Sequence, residues 1–168
     1  MLDAARPLAL PEMVCFDLAA TSRTLTALYR ELLDDLGLTY PQYLVLVVLW
    51  REGRCTIGEL RDRLRLDYGT MTPLLRRLEN AGLLTRTRRT DDERSVLVEL
   101  TVAGRELEPR AAGVAREVGH ALGLTATEAA ALQQTLRTVA DSVHRRTAEL
   151  AARRTESAAR GDRATRQR

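Results

Sequence analysis

Residues 67–100, DYGTMTPLLRRLENAGLLTRTRRTDDERSVLVEL, change their hydrophobic period halfway, and that change decides the fold. Met71, Leu74, Leu75 and Leu78 fall at i, i+3, i+4 and i+7, which is one face of a helix and must be buried. The opposite face carries Thr72, Pro73, Arg76 and Arg77, with Tyr68 and Thr70 where the helix begins. A start near Thr70 would put Pro73 in the first turn, where its missing N–H costs no hydrogen bond. After Gly82 two extended runs, 84–89 and 95–100, flank Thr90-Asp91-Asp92-Glu93-Arg94, which predicts a β-hairpin with an acidic tip and arginine flanks. Upstream, Thr56-Ile57-Gly58-Glu59 is a capping box that opens a short helix to Leu64. A short helix, a turn, a second helix and a twisted hairpin predict a winged helix-turn-helix, whose second helix enters the DNA major groove.

The flanks are helical. Residues 11–36 read as one long helix ending near Gly37, and Thr39-Tyr40-Pro41-Gln42 caps another that runs to Gly53. Thr101 starts a helix to about Leu122, and the box Thr125-Ala126-Thr127-Glu128 opens a long one to about Leu150. From 152 to 168 no apolar periodicity remains, so an Arg-rich disordered tail is expected. The fold class is therefore mainly α with a small β-wing. One domain spans 1–147, with a DNA-binding core at 40–100, the wing at 84–100, and flanking helices at 11–36 and 101–150.

All 26 basic residues are arginine, and the net charge of +3 is too small to identify a partner. The distribution is more telling. Residues 1–36 hold three Arg against six acids, whereas 54–94 hold ten against seven and 145–168 hold eight against three. Cys15 and Cys55, with only His120 and His144 beside them, supply neither a disulfide framework nor metal-ligand spacing, so no metal and no cofactor is expected. No window approaches ~18 uninterrupted apolar residues, and the first residues lack a signal-peptide pattern, so no membrane partner and a cytoplasmic location are expected.

The chemistry of the recognition segment suits double-stranded DNA. Hydroxyls and backbone N–H groups at a helix N-terminus favour phosphate, and Arg76 and Arg77 can take phosphate or guanine. In the wing, Arg88, Arg89 and Arg94 carry forked guanidinium groups that fit an A·T-rich minor groove. Any one of these arginines, taken alone, is more often part of a solvated face. Helix and wing together are not.

Residues 66–107 resemble the recognition helix and wing of the MarR family, in its organic hydroperoxide resistance regulator branch, and the likeness extends over about 10–147. The branch's Asp-x-Gly-Thr-x-Thr-Pro-Leu-Leu-x-Arg-Leu-Glu corresponds to Asp67, Gly69, Thr70, Thr72, Pro73, Leu74, Leu75, Arg77, Leu78 and Glu79. Its wing Asp-Glu-Arg corresponds to Asp92, Glu93 and Arg94. Tyr68 stands where that branch usually has serine. The resemblance implies a homodimer held by the first helix and the last two, and hence a palindromic operator. Leu132, Leu136, Val139 and Val143 form an apolar stripe that such a partner would cover.

Cys15 lies near a helix start in Met13-Val14-Cys15-Phe16, where the helix dipole favours a thiolate, while Asp17 opposes it. On these residues alone a small buried hydrophobe is the better reading. The resemblance reverses that weighting: the branch has its reactive cysteine in this context, among tyrosine hydroxyls matched here by Tyr29 and Tyr40. A further tyrosine of the branch is replaced by Ala19. The resemblance implies an organic hydroperoxide as inducer, sulfenic acid at Cys15, and a low-molecular-weight thiol as second partner, because no cysteine follows Cys55. Cys55 is read as structural.

Two other readings stay open. A MarR-type regulator could release DNA on binding a small aromatic ligand, with Cys15 structural. A thiol peroxidase would need a resolving cysteine and an activating arginine near residue 15, and an enzyme is not expected.

Overall fold

The computed structural model describes residues 9–88 and 95–165. A 3-10 turn at Leu10–Glu12 precedes α1 (Val14–Leu33), and a second such turn, Asp34–Leu36, leads to α2 (Tyr40–Glu52). The single helix expected over 11–36 is thus interrupted twice. Met13 is extended at φ −99° and ψ 97°, and from Asp34 the backbone tightens into the 3-10 turn that Gly37 ends at φ 64°.

A short strand β1 (Arg54–Thr56) leads into α3 (Ile57–Leu64), then α4 (Tyr68–Asn80), β2 (Leu84–Arg88), β3 (Val96–Leu100), α5 (Val102–Leu122) and α6 (Ala126–Thr165). The three strands form one antiparallel sheet in the order β1-β3-β2, with Cys55 opposite Val98 and Arg86 opposite Val98 from the other side. The hairpin was expected and β1 was not, since three residues carry no period to read. The predicted capping boxes close with good geometry. Glu59 accepts the Thr56 N–H at 2.7 Å while Thr56 Oγ1 accepts the Glu59 N–H at 3.2 Å. Thr39 donates its N–H to Gln42 Oε1 at 2.8 Å, and Thr125 donates its own to Glu128 Oε2 at 2.9 Å.

The core is continuous from the end of α1 to α5: Leu33, Val45, Leu46, Leu49, Leu60, Met71, Leu75, Leu78, Leu84 and Val98 are essentially sealed from solvent. From α5, Leu107, Ala111 and Val114 close it at spacings of four and three. The root of α5 is clamped to the turn after α4. Thr101 donates its N–H to the Leu83 carbonyl and its hydroxyl to the Gly82 carbonyl, at 3.1 and 2.6 Å, and Trp50 Nε1 donates to the Gly104 carbonyl at 2.8 Å. Only glycine fits at 104, because a Cβ there would lie 2.0 Å from the Leu83 carbonyl oxygen.

The chain divides into two compact units, one up to Ala121 and one from Leu122 onward. In the second, α6 does not stop near 150 but continues to Thr165, which corrects the expectation of a disordered tail up to that residue. Alanine, arginine and glutamate have high helix propensity, and Arg146 pairs with Glu149 at 2.8 Å along the helix. Leu132, Leu136, Val139, Val143 and Leu150 on α6 are exposed, as are Val14, Phe16 and Leu18 on α1. No single helix among the described residues is long and apolar enough to cross a membrane.

Candidate DNA-binding face and redox site

The recognition helix α4 separates its two faces cleanly. Met71, Leu74, Leu75 and Leu78 are buried, while Tyr68, Gly69, Thr70, Thr72, Arg76 and Arg77 are exposed and Pro73 is half-buried. Asp67 starts the helix two residues earlier than expected: its carboxylate accepts the Thr70 N–H at 2.7 Å and the Thr70 hydroxyl at 3.2 Å. These hydrogen bonds hold the Asp67 carboxyl below the usual carboxylate range. Pro73 is consequently the sixth helical residue and not part of the first turn, which corrects the sequence reading. The Gly69 carbonyl loses its i+4 donor, but Gly69 and Pro73 share the open side of the helix, where water or a bound group can reach it.

The wing is fastened to this helix. Arg86 on β2 reaches Glu79 on α4 through Nε at 3.0 Å and through Nη2, and these bonds lower the Glu79 pKa. Arg88, at the end of β2, is exposed. The remaining wing residues singled out from sequence, Arg89, Asp92 and Arg94, lie outside the described residues. Between the start of α3, the open face of α4 and the foot of β3 lies a cleft of about 360 Å³, lined by Thr56, Ile57, Gly58, Tyr68, Thr72, Ser95 and Val96.

The second group of residues is aromatic. Tyr29 on α1 stacks on Tyr40 of α2 with ring centroids 4.0 Å apart, and Tyr43 lies 6.0 Å from Tyr29. Burial, the neighbouring phenols and a hydrogen bond with Tyr40 push the Tyr29 hydroxyl up to about 12. It therefore remains a hydrogen-bonding phenol, never a phenolate, at ordinary pH. Burial raises Tyr43 as well, and this third tyrosine escaped the sequence reading. The signal was the i, i+3 spacing of Tyr40 and Tyr43, which puts both on one face of α2.

Cys15 is exposed in the first turn of α1, the second residue of the helix. It does not meet the tyrosines. Cys15 and Tyr29 are fourteen residues apart on one uninterrupted helix, about 21 Å along its axis. Cys55 is the converse case, 3% exposed between β1 and the core, with its thiol pushed up to about 11 chiefly by burial. Such a thiol stays protonated and shielded, as a structural residue should.

Comparison with known proteins agrees with this geometry. Residues 38–96 match the MarR family. Over 140 residues the chain is 41% identical to the organic hydroperoxide resistance transcriptional regulator of Bacillus subtilis, covering 82% of this chain and 93% of that one. Reduced AbfR of Staphylococcus epidermidis bound to DNA superposes with a TM-score of 0.69 at 29% identity, over 80% of this chain and 94% of that one. BpsR of Bordetella bronchiseptica, whose DNA binding is regulated by 6-hydroxynicotinic acid, does so with a TM-score of 0.73 at 28% identity, over 81% and 99%. The family and these relatives are transcriptional regulators and not enzymes. The chain belongs to the MarR family of DNA-binding transcriptional regulators, in its organic hydroperoxide resistance branch.

Proposed function

We propose that the protein is a redox-sensing repressor: as a homodimer it binds a palindromic operator, and it leaves that operator when an organic hydroperoxide oxidises Cys15. The observation that carries this reading is the separation, along the uninterrupted helix α1, of an exposed Cys15 from Tyr29, which stacks on Tyr40 of α2. The two halves form a single pocket only if a two-fold mate supplies one of them. The exposed apolar residues of α1 and α6 support such a mate. AbfR, solved both reduced on DNA and in a disulfide-formed state, supports redox control on this fold.

In the proposed reaction the Cys15 thiolate attacks one peroxide oxygen. An S–O bond forms as the O–O bond breaks, sulfur loses two electrons, and the departing alkoxide takes a proton to become an alcohol. The sulfenic acid then condenses with a low-molecular-weight thiol, forming a disulfide and releasing water. A bulky adduct at the dimer junction would displace the flanking helices, and the hydrogen bonds from Thr101 to Gly82 and Leu83 in the turn after α4 would pass that movement to the recognition helix. DNA would be held by Tyr68, Gly69, Thr70, Thr72, Pro73, Arg76 and Arg77 of α4 and by Arg88, Arg89, Asp92 and Arg94 of the wing.

The test is a gel-shift series with cumene hydroperoxide, hydrogen peroxide and dithiothreitol on the wild type and Cys15→Ser. The variant should bind DNA and ignore peroxide, and the wild type should recover with dithiothreitol. A second reading, release by a small aromatic acid, is favoured by the likeness to BpsR. It expects a Cys15→Ser protein that still responds to its inducer, and a peroxide response that survives in Cys15→Ser would refute the sensor.

A further inference from the structure

One arginine of α3 lies outside the recognition helix and the wing, yet it borders the same face. The guanidinium carbon of Arg61 sits 4.7 Å from the centroid of the Tyr68 ring. Its Nε donates to Asp62 Oδ1 at 2.8 Å, and Nη2 donates to the same oxygen. Among the described residues these bonds leave Nη1 uncommitted. Tyr68 is the first residue of α4 and is 56% exposed, so its ring adds little to the core. Its ring instead lies beneath the Arg61 guanidinium.

An arginine side chain normally gives up much rotamer freedom when it binds, and a stacked, ion-paired guanidinium has already given it up. In helix-turn-helix docking the helix before the recognition helix crosses the sugar-phosphate backbone, while the start of the recognition helix reaches the bases. α3 is that preceding helix. We propose that Arg61 clamps a DNA backbone phosphate through Nη1, with Tyr68 as the positioning residue that holds it there. This rests on the reading of α3 and α4 as the DNA-binding face. It also accounts for Tyr68 in a place where the branch usually has serine, which could not stack on a guanidinium.

The probes are a duplex that the full-length wild type selects from a random-sequence library and a non-cognate duplex of equal length. Dissociation constants are measured against potassium chloride, with thermal melting of each variant alongside. Arg61→Ala should weaken both duplexes alike by about tenfold and reduce the salt slope by about one. Tyr68→Ser should lose part of that on the non-cognate duplex, and Tyr68→Phe should recover most of the loss, because the ring does the stacking. The double variant Arg61→Ala/Tyr68→Ser should bind the non-cognate duplex no worse than Arg61→Ala alone, the signature of coupled residues. If Arg61→Ala keeps wild-type affinity and slope, the clamp is wrong. If it melts earlier while its folded fraction binds normally, Arg61 and Tyr68 merely join α3 to α4, and the proposal falls. A wild type that selects no duplex would overturn the DNA-face reading itself, and the clamp with it.

Discussion

From Leu38 to Leu100 the chain closes its own core, and along α1 and α6 it does not. In the first region Val45, Leu46, Leu49, Leu60, Leu75 and Val98 are fully buried. In the outer helices Val14 is 70% exposed and Val143 59%, and Phe16, Leu136 and Leu150 are also open. The two cysteines divide in the same way, with Cys55 sealed beneath the sheet and Cys15 on the surface of α1. A DNA-reading unit whose fold one chain completes can keep its shape while its surroundings move. Helices whose apolar faces one chain leaves open are where assembly and sensing can be joined. Under the proposed redox mechanism, the closed region keeps its shape and the open helices carry the switch.

The largest effect should come from the closed region. Leu75→Ala removes a fully buried side chain and should lower unfolding free energy by about 2–5 kcal/mol in chemical denaturation, whether or not a partner is present. A loss below about 1 kcal/mol would mean that this core is not tightly filled. In the open region, Leu136→Glu should leave the winged core folded by circular dichroism but abolish the dimer in sedimentation. Operator affinity should then fall by about a hundredfold or more, because two linked half-sites become one. A dimeric Leu136→Glu would show that the α6 stripe is not the interface.

A smaller effect follows from Cys55. Its folded pKa is raised to about 11 from 9.0, so folding favours the neutral thiol; that contribution is complete below pH 9 and lost as pH rises toward 11. Thermal midpoints taken between pH 8 and pH 11 should fall more steeply for wild type than for Cys55→Ala. Equal slopes would show that Cys55 is not shielded. The smallest effect is expected at Arg65, which ends α3 in the left-handed conformation at φ 53°. Arg65→Gly should relieve that strain and add up to about 1 kcal/mol of stability, visible as a modest rise in melting temperature.

Much of the closed region was legible because its residues obey a period. The i, i+3, i+4, i+7 set of α4 and the Thr-x-x-Glu/Gln boxes at Thr39 and Thr56 each tie a local pattern to a buried face or a capped end. What escaped reading depends on contacts distant in sequence. β1 is a strand only because β3 offers it a ladder, and Tyr43 joins Tyr29 only when α2 folds onto α1. Arg61 and Tyr68 meet across the turn between α3 and α4, which no spacing rule announces. The early start of α4 was missed because Pro73 argued for a later one, and the Asp67 cap outweighed it. Beyond residue 151 the chain has no apolar periodicity and so no sequence signal for helix, although alanine and arginine favour helix without any face to bury.

The claim that the sensing pocket is shared between two chains can be tested in a mixed dimer of one Cys15→Ser subunit and one Tyr29→Phe subunit. The one remaining Cys15 belongs to the Tyr29→Phe chain. In a shared pocket it faces the intact Tyr29 of its mate. Losing a phenolic hydrogen bond costs about 0.5–1.5 kcal/mol, so Tyr29→Phe homodimers should form Cys15 sulfenate several-fold more slowly than wild type. The mixed dimer should trap sulfenate at the wild-type rate per cysteine. A rate as slow as that of the Tyr29→Phe homodimer would mean that Tyr29 acts on the cysteine of its own chain, and the shared pocket would have to be abandoned.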